Sequence, residues 1–290
     1  MPVKIFDPAL RVGWEPDTPV GDTLLRRFVS NQTVWTAAQG EALGARALRR
    51  DDILAVDSGR PAGLLNMAIP AAPLYPSGLE ETLAALDDFF GLSDGETRGE
   101  VSLLSAWPSP DLRPAGWRLG GHPPLMFRPA GGEAPPSPPD LAIEPVREIA
   151  QLHEFEAVLI QGFEMEELRE AGPGVSLGPA LLADERVRMW IGRADGRAVS
   201  AASTFIADGI NNVTLVATLP DAQRRGYGRA LTWQATLAEP SLPAVLFASD
   251  AGRPVYERMG YTALFRMFFW WRPRGEQPEQ ATPEASAAAG

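Results

Sequence analysis

Val213 to Leu231 reads V-T-L-V-A-T-L-P-D-A-Q-R-R-G-Y-G-R-A-L. The first seven residues are β-branched and apolar, which suits a strand, and Pro220 and Asp221 stop it. Gln223 to Gly228 then make a short basic loop. Beyond it, Tyr227, Ala230, Leu231, Ala235 and Ala238 recur at three- and four-residue spacing until Pro240, a helix pattern. A strand that feeds a glycine loop opening a helix is an anion site by construction. The first N–H groups of the helix have no internal acceptors and sit at its positive end. Gly226 and Gly228 let the main chain approach a ligand closely. Arg224, Arg225 and Arg229 add charge, so a phosphate or pyrophosphate is the expected guest. The bland alternative is a glycine turn beside solvated arginines.

A second signal lies about 30 residues downstream. Ala244 to Ala248 reads as a short buried strand. Ser249-Asp250 can cap a helix through Tyr256, and Gly260 suits its left-handed end. The loop Gln223-Arg224-Arg225-Gly226-Tyr227-Gly228 resembles the acetyl-CoA loop Q/R-x-x-G-x-G/A of the GNAT N-acetyltransferase superfamily, with Pro220 at the usual proline. Tyr256, Gly260 and Tyr261 are similar to that family's second motif. The resemblance covers residues ~141–274.

The resemblance implies an α/β (α+β) fold: a mixed, mostly antiparallel twisted sheet flanked by helices, with two neighbouring strands splayed around acetyl-CoA. It implies acetyl transfer from that co-substrate to an amine. Carried over by position, main-chain groups of Val216, Ala217 and Thr218 would meet the pantetheine arm and acetyl oxygen. Residues 224–229 (Arg224, Arg225, Gly226, Tyr227, Gly228 and Arg229) would cradle the pyrophosphate. Tyr256 would be the general acid, or else would only pack on the cofactor. Ser249 stands where the family often has asparagine, and would hydrogen-bond the pantetheine or serve only the helix start. No carboxylate stands on the strand before the loop, which offers Asn211, Asn212, Thr214 and Thr218. Glu164, Glu166 and Glu167 either line the acceptor cleft or form a solvated cluster. His122 and His153 read as surface or packing histidines, and Asp208 as a turn residue.

Composition narrows the partners. A net charge of −11 argues against nucleic acid. With no cysteine and only two histidines, thiol chemistry is excluded and no metal-ligand spacing appears. No apolar run approaches the ~20 residues that span a bilayer, and Met1 to Pro8 lack the apolar core of a signal peptide. The expectation is a cytoplasmic protein, monomer or homodimer, with no membrane or metal.

Along the chain, 131–140 is a proline-rich spacer and 275–290 an aperiodic tail expected to be disordered. Before the spacer, helices are expected over 22–38 and 79–90, and strands over 53–56, 64–69, 101–106, 117–119 and 125–127. After it come strands over 141–146, 187–191, 198–207, 210–219 and 266–271, with a helix over 149–160. The halves echo each other. Gly116-Trp117 precedes Arg128-Pro129 at the separation by which Gly260-Tyr261 precedes Arg272-Pro273. The reading is two GNAT-like domains, 1–130 and 141–274. In the first, the proline-rich stretch Ile69 to Gly78 replaces the glycine loop and Leu112 replaces Tyr256, so that copy is degenerate and shapes the cleft or braces the fold. The chain is therefore expected to be an N-acetyltransferase acting on a small-molecule or protein amine. A tandem enzyme resembling mycothiol synthase and a non-catalytic acetyl-CoA-binding regulator are the competing readings.

Overall fold

The computed structural model describes residues 24–92 and 99–274. The expectations for residues 1–20 and for the tail at 275–290 lie outside the described residues. The first half runs α1 (Leu24–Ala42), β1 (Arg46–Arg49), β2 (Ile53–Asp57), β3 (Asn66–Pro70), α2 (Pro76–Phe90), β4 (Glu100–Ser105), β5 (Arg118–Gly121) and β6 (Pro124–Arg128). The second runs β7 (Ala142–Pro145), α3 (Ile149–Gly162), β8 (Val187–Ala194), β9 (Arg197–Ala207), β10 (Ile210–Thr218), α4 (Tyr227–Thr236), β11 (Ala244–Phe247), α5 (Arg253–Arg258), β12 (Thr262–Arg266) and β13 (Phe268–Pro273). Two mixed, mostly antiparallel sheets flanked by helices result.

The sheets exchange strands. One has the order β1-β2-β3-β4-β13-β5 and the other β12-β6-β11-β10-β9-β8-β7. The last strand among the described residues, β13, thus sits between β4 and β5 of the first half, with Phe268 opposite Ser105 and Pro273 opposite Glu100. In return β6 sits between β11 and β12, with Ala244 opposite Arg128. The spacer at 131–140 divides the sequence, but the hydrogen bonding crosses it in both directions. The crossing point is Met267, which breaks the single strand expected over 266–271 into β12 in one sheet and β13 in the other. Periodicity does not reveal such a break, because both pieces remain apolar and extended.

Buried charge fastens the exchanged end. Arg274, just past β13, pairs with Asp57 at the end of β2 and donates to the carbonyl of Phe90 at 2.9 Å. Arg46 reaches the same carboxylate at 2.6 Å. Burial alone would raise the Asp57 pKa, but hydrogen bonds from Arg274, Arg46 and the Gly59 N–H outweigh it and hold the carboxyl below its usual range.

The hairpins follow their turn residues. Asp195 and Gly196 (φ 51° and 76°) join β8 to β9, and Asp208 and Gly209 (φ 52° and 67°) join β9 to β10. Positive φ at both central residues matches the twist of the flanking strands. β1 was not foreseen: Arg-Ala-Leu-Arg is a largely exposed edge with no apolar alternation.

Helix α1 belongs to the first half in sequence but packs on the second sheet. Trp35 lies 5.3 Å, centroid to centroid, from Phe205 on β9. The Asn212 amide on β10 donates to Asn31 at 2.9 Å and Gln32 at 3.2 Å, all three side chains being buried. Asn31 in turn donates to the Ala207 carbonyl at 3.1 Å. Polar groups removed from water need such partners, so this network fixes the position of α1 over β10. Among the described residues no helix is long and apolar enough to cross a membrane.

Candidate functional site

Among the described residues each sheet has one parallel strand pair, and each such pair is short. β10 meets β11 only at Asn211–Ala244 and Asn212–Val245, after which the two strands separate. Asn211 is spent on structure: its amide donates to the carbonyls of Ala235 and Thr236, in the last turn of α4, at 2.8 and 2.9 Å. Just past the last paired residues, β10 bulges. Its register with β9 jumps between Thr214 and Ala217, and Leu215 has φ 50°. A leucine in the left-handed region stores on the order of 1–2 kcal/mol, and such strain collects at functional sites. The bulge takes Leu215 and Val216 out of the ladder with β9 and leaves them beside the gap.

A cavity of about 570 Å³ opens in that gap. Val216, Ser249 and Tyr256 line it together. The loop and the end of β10 lie off its wall. Thr218 bonds Ser200, hydroxyl to hydroxyl, at 2.8 Å, and Ala217 is buried.

The loop itself has the geometry of an anion cradle. Gly226 caps α4 with φ 86°, and Arg224 has φ 63°. The main-chain N–H groups from Arg224 to Arg229 have no acceptor among the described residues. A Cβ on Gly228 would lie 2.8 Å from Thr218 Oγ1, so the helix start rests against the strand only because that residue is glycine. Arg224, Arg225 and Arg229 are exposed. Arg225 binds Asp140 of the spacer at 2.6 Å, and the Tyr227 hydroxyl donates to the same carboxylate at 2.5 Å. Tyr227 is therefore an anchor for the loop, its ring buried beneath it.

Tyr256 lies on α5, facing Tyr261 edge-on at 6.1 Å. Burial pushes its phenol up to about 12. Ser249 accepts from the Gly252 N–H at 3.1 Å, so it makes the turn before α5 while lining the cavity. The N-cap is Gly252, three residues later than expected.

Glu164, Glu166 and Glu167 are exposed and off the cavity wall, and Glu166 pairs with Arg169 at 2.6 Å. They form a solvated cluster away from that wall. Glu156, which the sequence did not single out, is buried and accepts from Ser176 and Leu177 N–H groups at 2.6 and 3.0 Å. It pins the loop beneath the cavity. The wall does include His122, on the turn between β5 and β6. Its Nδ1 lies 3.2 Å from the Met267 carbonyl. A carbonyl only accepts, so Nδ1 is the donor in this contact, and Nε2 makes no hydrogen bond among the described residues. His122 is exposed and packs edge-on against Phe268 at 4.6 Å, as a surface or packing histidine would, and the strand exchange, which has no local sequence signal, also sets it on the cavity wall. Trp35, Met67 and Gln32 of the first half also line the cavity.

Residues 175–268 match the family model described as an acetyltransferase (GNAT) domain. No curated protein matches the chain in sequence. Among solved structures, a GCN5-related N-acetyltransferase from Kribbella flavida superposes with a TM-score of 0.63 at 19% identity, over 88% of this chain and 97% of that one. A GNAT-family protein from Novosphingobium aromaticivorans gives 0.51 at 19% identity, over 84% and 97%. A functionally unknown conserved protein from Staphylococcus epidermidis gives 0.55 at 12%, over 80% and 95%. The fold of both halves together is thus one that GNAT-family proteins have, and the segment from 175 to 268 is similar to their acetyltransferase domain.

Proposed function

We propose that the protein transfers an acetyl group from acetyl-CoA to a primary amine. The observation that carries this reading is the pairing of a strained, splayed β10 with Tyr256 on the wall of one cavity, beside a glycine loop with unpaired N–H groups. The cradle fits a diphosphate: it offers main-chain donors at a helix start and three exposed arginines. Acetyl-CoA supplies the activated acetyl group as a thioester. Arg224 to Arg229 hold its diphosphate, and the freed backbone of Leu215 and Val216 donates to the acetyl oxygen, where negative charge develops. Ser249 borders the pantetheine path.

Between ammonium and amide the acceptor nitrogen gives up two protons. His122 accepts the first, which frees the lone pair for attack on the acetyl carbon. The departing sulfur takes the second as the C–N bond forms and the C–S bond breaks. A phenol near 12 holds its proton more tightly than a thiol at ~8.5. Tyr256 therefore acts by donating a hydrogen bond to the leaving sulfur, a gentler role than full proton transfer.

The halves are best read as two copies of one fold. The strand orders β4-β13-β5 and β11-β6-β12 correspond, and each sheet has one two-residue parallel contact. In the first copy Leu112 is buried where the second has Tyr256. That copy contributes His122 and Trp35 to the cavity instead of a second cofactor site.

The test is thermal unfolding with acetyl-CoA, followed by release of CoA thiol across a panel of amines. Stabilisation with amine-dependent release supports the enzyme. Stabilisation without release for any amine favours a regulator that senses the coenzyme.

A further inference from the structure

The cavity has two sides. On one lie the splayed strands and Tyr256, where the thioester belongs. The other is a chamber shared by both halves and walled by Trp35, Leu65, Met67, Leu159, Met165 and Leu177. Its polar side chains are mostly occupied already. Gln32 accepts from Asn212 at 3.2 Å, the Ser176 hydroxyl donates to Glu156 at 2.9 Å, and Thr214 bonds Ser203 at 2.7 Å. The charged groups on the wall, Asp250 and Arg266, are exposed. At the mouth, Leu64, Phe163 and Phe247 remain 45%, 38% and 39% exposed.

An acceptor body seated here meets side chains that are mostly paired already, Gln39 and the exposed Asp250 being the exceptions. Hydroxyls or further ammonium groups on its body would lose water without compensation, whereas methylenes and rings would gain by burial. The cavity as a whole, about 570 Å³, lies within the ordinary size of ligand pockets.

We propose that the acceptor is a primary amine carrying a large apolar body, an alkylamine or arylalkylamine, seated between the two halves with its nitrogen toward His122 and Tyr256. This rests on the acetyl-transfer reading for the reaction, but not for the binding preference. It disfavours sugar amines and polyamines.

The experiment is calorimetric titration of the full chain, saturated with CoA, with n-butylamine, n-hexylamine, n-octylamine, spermidine and glucosamine. The Kd should fall about three- to fourfold per added methylene, and octylamine should bind more tightly than spermidine or glucosamine. Leu65→Ala should weaken octylamine about tenfold and leave butylamine within twofold, its thermal unfolding confirming an intact fold. Leu64→Lys, at the exposed mouth, gives a second variant that does not disturb the core and should weaken octylamine in the same way. A flat series, tighter binding of spermidine or glucosamine, or no binding of any amine overturns the proposal. The same amines are then offered with acetyl-CoA. Chain-length-dependent binding without thiol release upholds this inference and refutes acetyl transfer. Release with spermidine or glucosamine alone does the reverse.

Discussion

Gly228→Ala separates a cofactor cradle from an ordinary helix start. Gly228 is the second residue of α4 and does not occupy the left-handed region. The backbone therefore accepts alanine, and helix propensity favours it by up to ~1 kcal/mol. Opposing this, the new Cβ falls 2.8 Å from Thr218 Oγ1. Relief needs on the order of 0.5 Å, because close-packed neighbours cannot absorb the overlap. Thr218 is held by Ser200 at 2.8 Å, and Ser200 also donates to the Ala217 carbonyl at 2.8 Å. Rotating Thr218 forfeits a hydrogen bond of about 0.5–1.5 kcal/mol. Otherwise the start of α4 lifts off β10. The two effects on stability nearly cancel, so unfolding should shift by less than about 1 kcal/mol. Binding should not be spared. Moving the N–H groups by half an ångström spoils one or two charge-assisted hydrogen bonds, each worth roughly 1.5–3 kcal/mol, and acetyl-CoA should bind about 10- to 100-fold more weakly by calorimetry. Thr218→Ala in the same chain removes the obstructing atom and should restore affinity to within about threefold. Wild-type affinity in Gly228→Ala, or a double variant no better than the single one, would refute the packing argument.

Three further outcomes follow from the same geometry. Tyr256→Phe should lower kcat about 10- to 100-fold, the value of a hydrogen bond to a charged atom, and since burial holds the phenol near 12, the wild-type pH profile should show no limb from this residue below about pH 11; an alkaline limb near 9 that vanishes in the variant contradicts this. His122→Gln, with Arg266, Asp250 and Tyr256 unchanged around it, should cost about 100-fold in kcat/KM at pH 7, and the gap should close toward pH ~10 as an alkylamine, close to lysine's ~10.4, becomes neutral unaided; a loss independent of pH would make His122 structural. Arg274→Met leaves Asp57 buried without its main partner and should cost about 3–5 kcal/mol by denaturant unfolding; because the folded Asp57 pKa is depressed, its stabilising contribution is complete above the unfolded value of ~3.9 and is lost as pH falls through the folded value, so a cost under about 1 kcal/mol at pH 7 argues against this ion pair as the lock on β13.

The parts of the fold set by local chemistry were legible in the sequence. An Asp-Gly pair between apolar stretches encodes each hairpin, Pro220 and the two glycines mark the passage from β10 into α4, and Leu79, Leu83, Leu86 and Phe90 at helical spacing encode α2. What was not legible depends on distant partners. Nothing in Arg128 or Pro273 says that β6 and β13 leave their own halves. Without that exchange His122 looks like an isolated surface residue. Leu215 gives no sign of its bulge either, since leucine favours neither a positive φ nor a break in pairing. The candidate base is hidden for the same reason: the strand before the loop carries no carboxylate, and the group on the cavity wall, His122, comes from the other half.

The most direct measurement is a crystal structure of the full chain with acetyl-CoA. The account requires diphosphate oxygens within hydrogen-bond distance of main-chain N–H groups between Arg224 and Arg229, with the thioester sulfur beside the Tyr256 hydroxyl. Coenzyme bound elsewhere, or a diphosphate on the loop with the thioester directed away from the cavity, would contradict it.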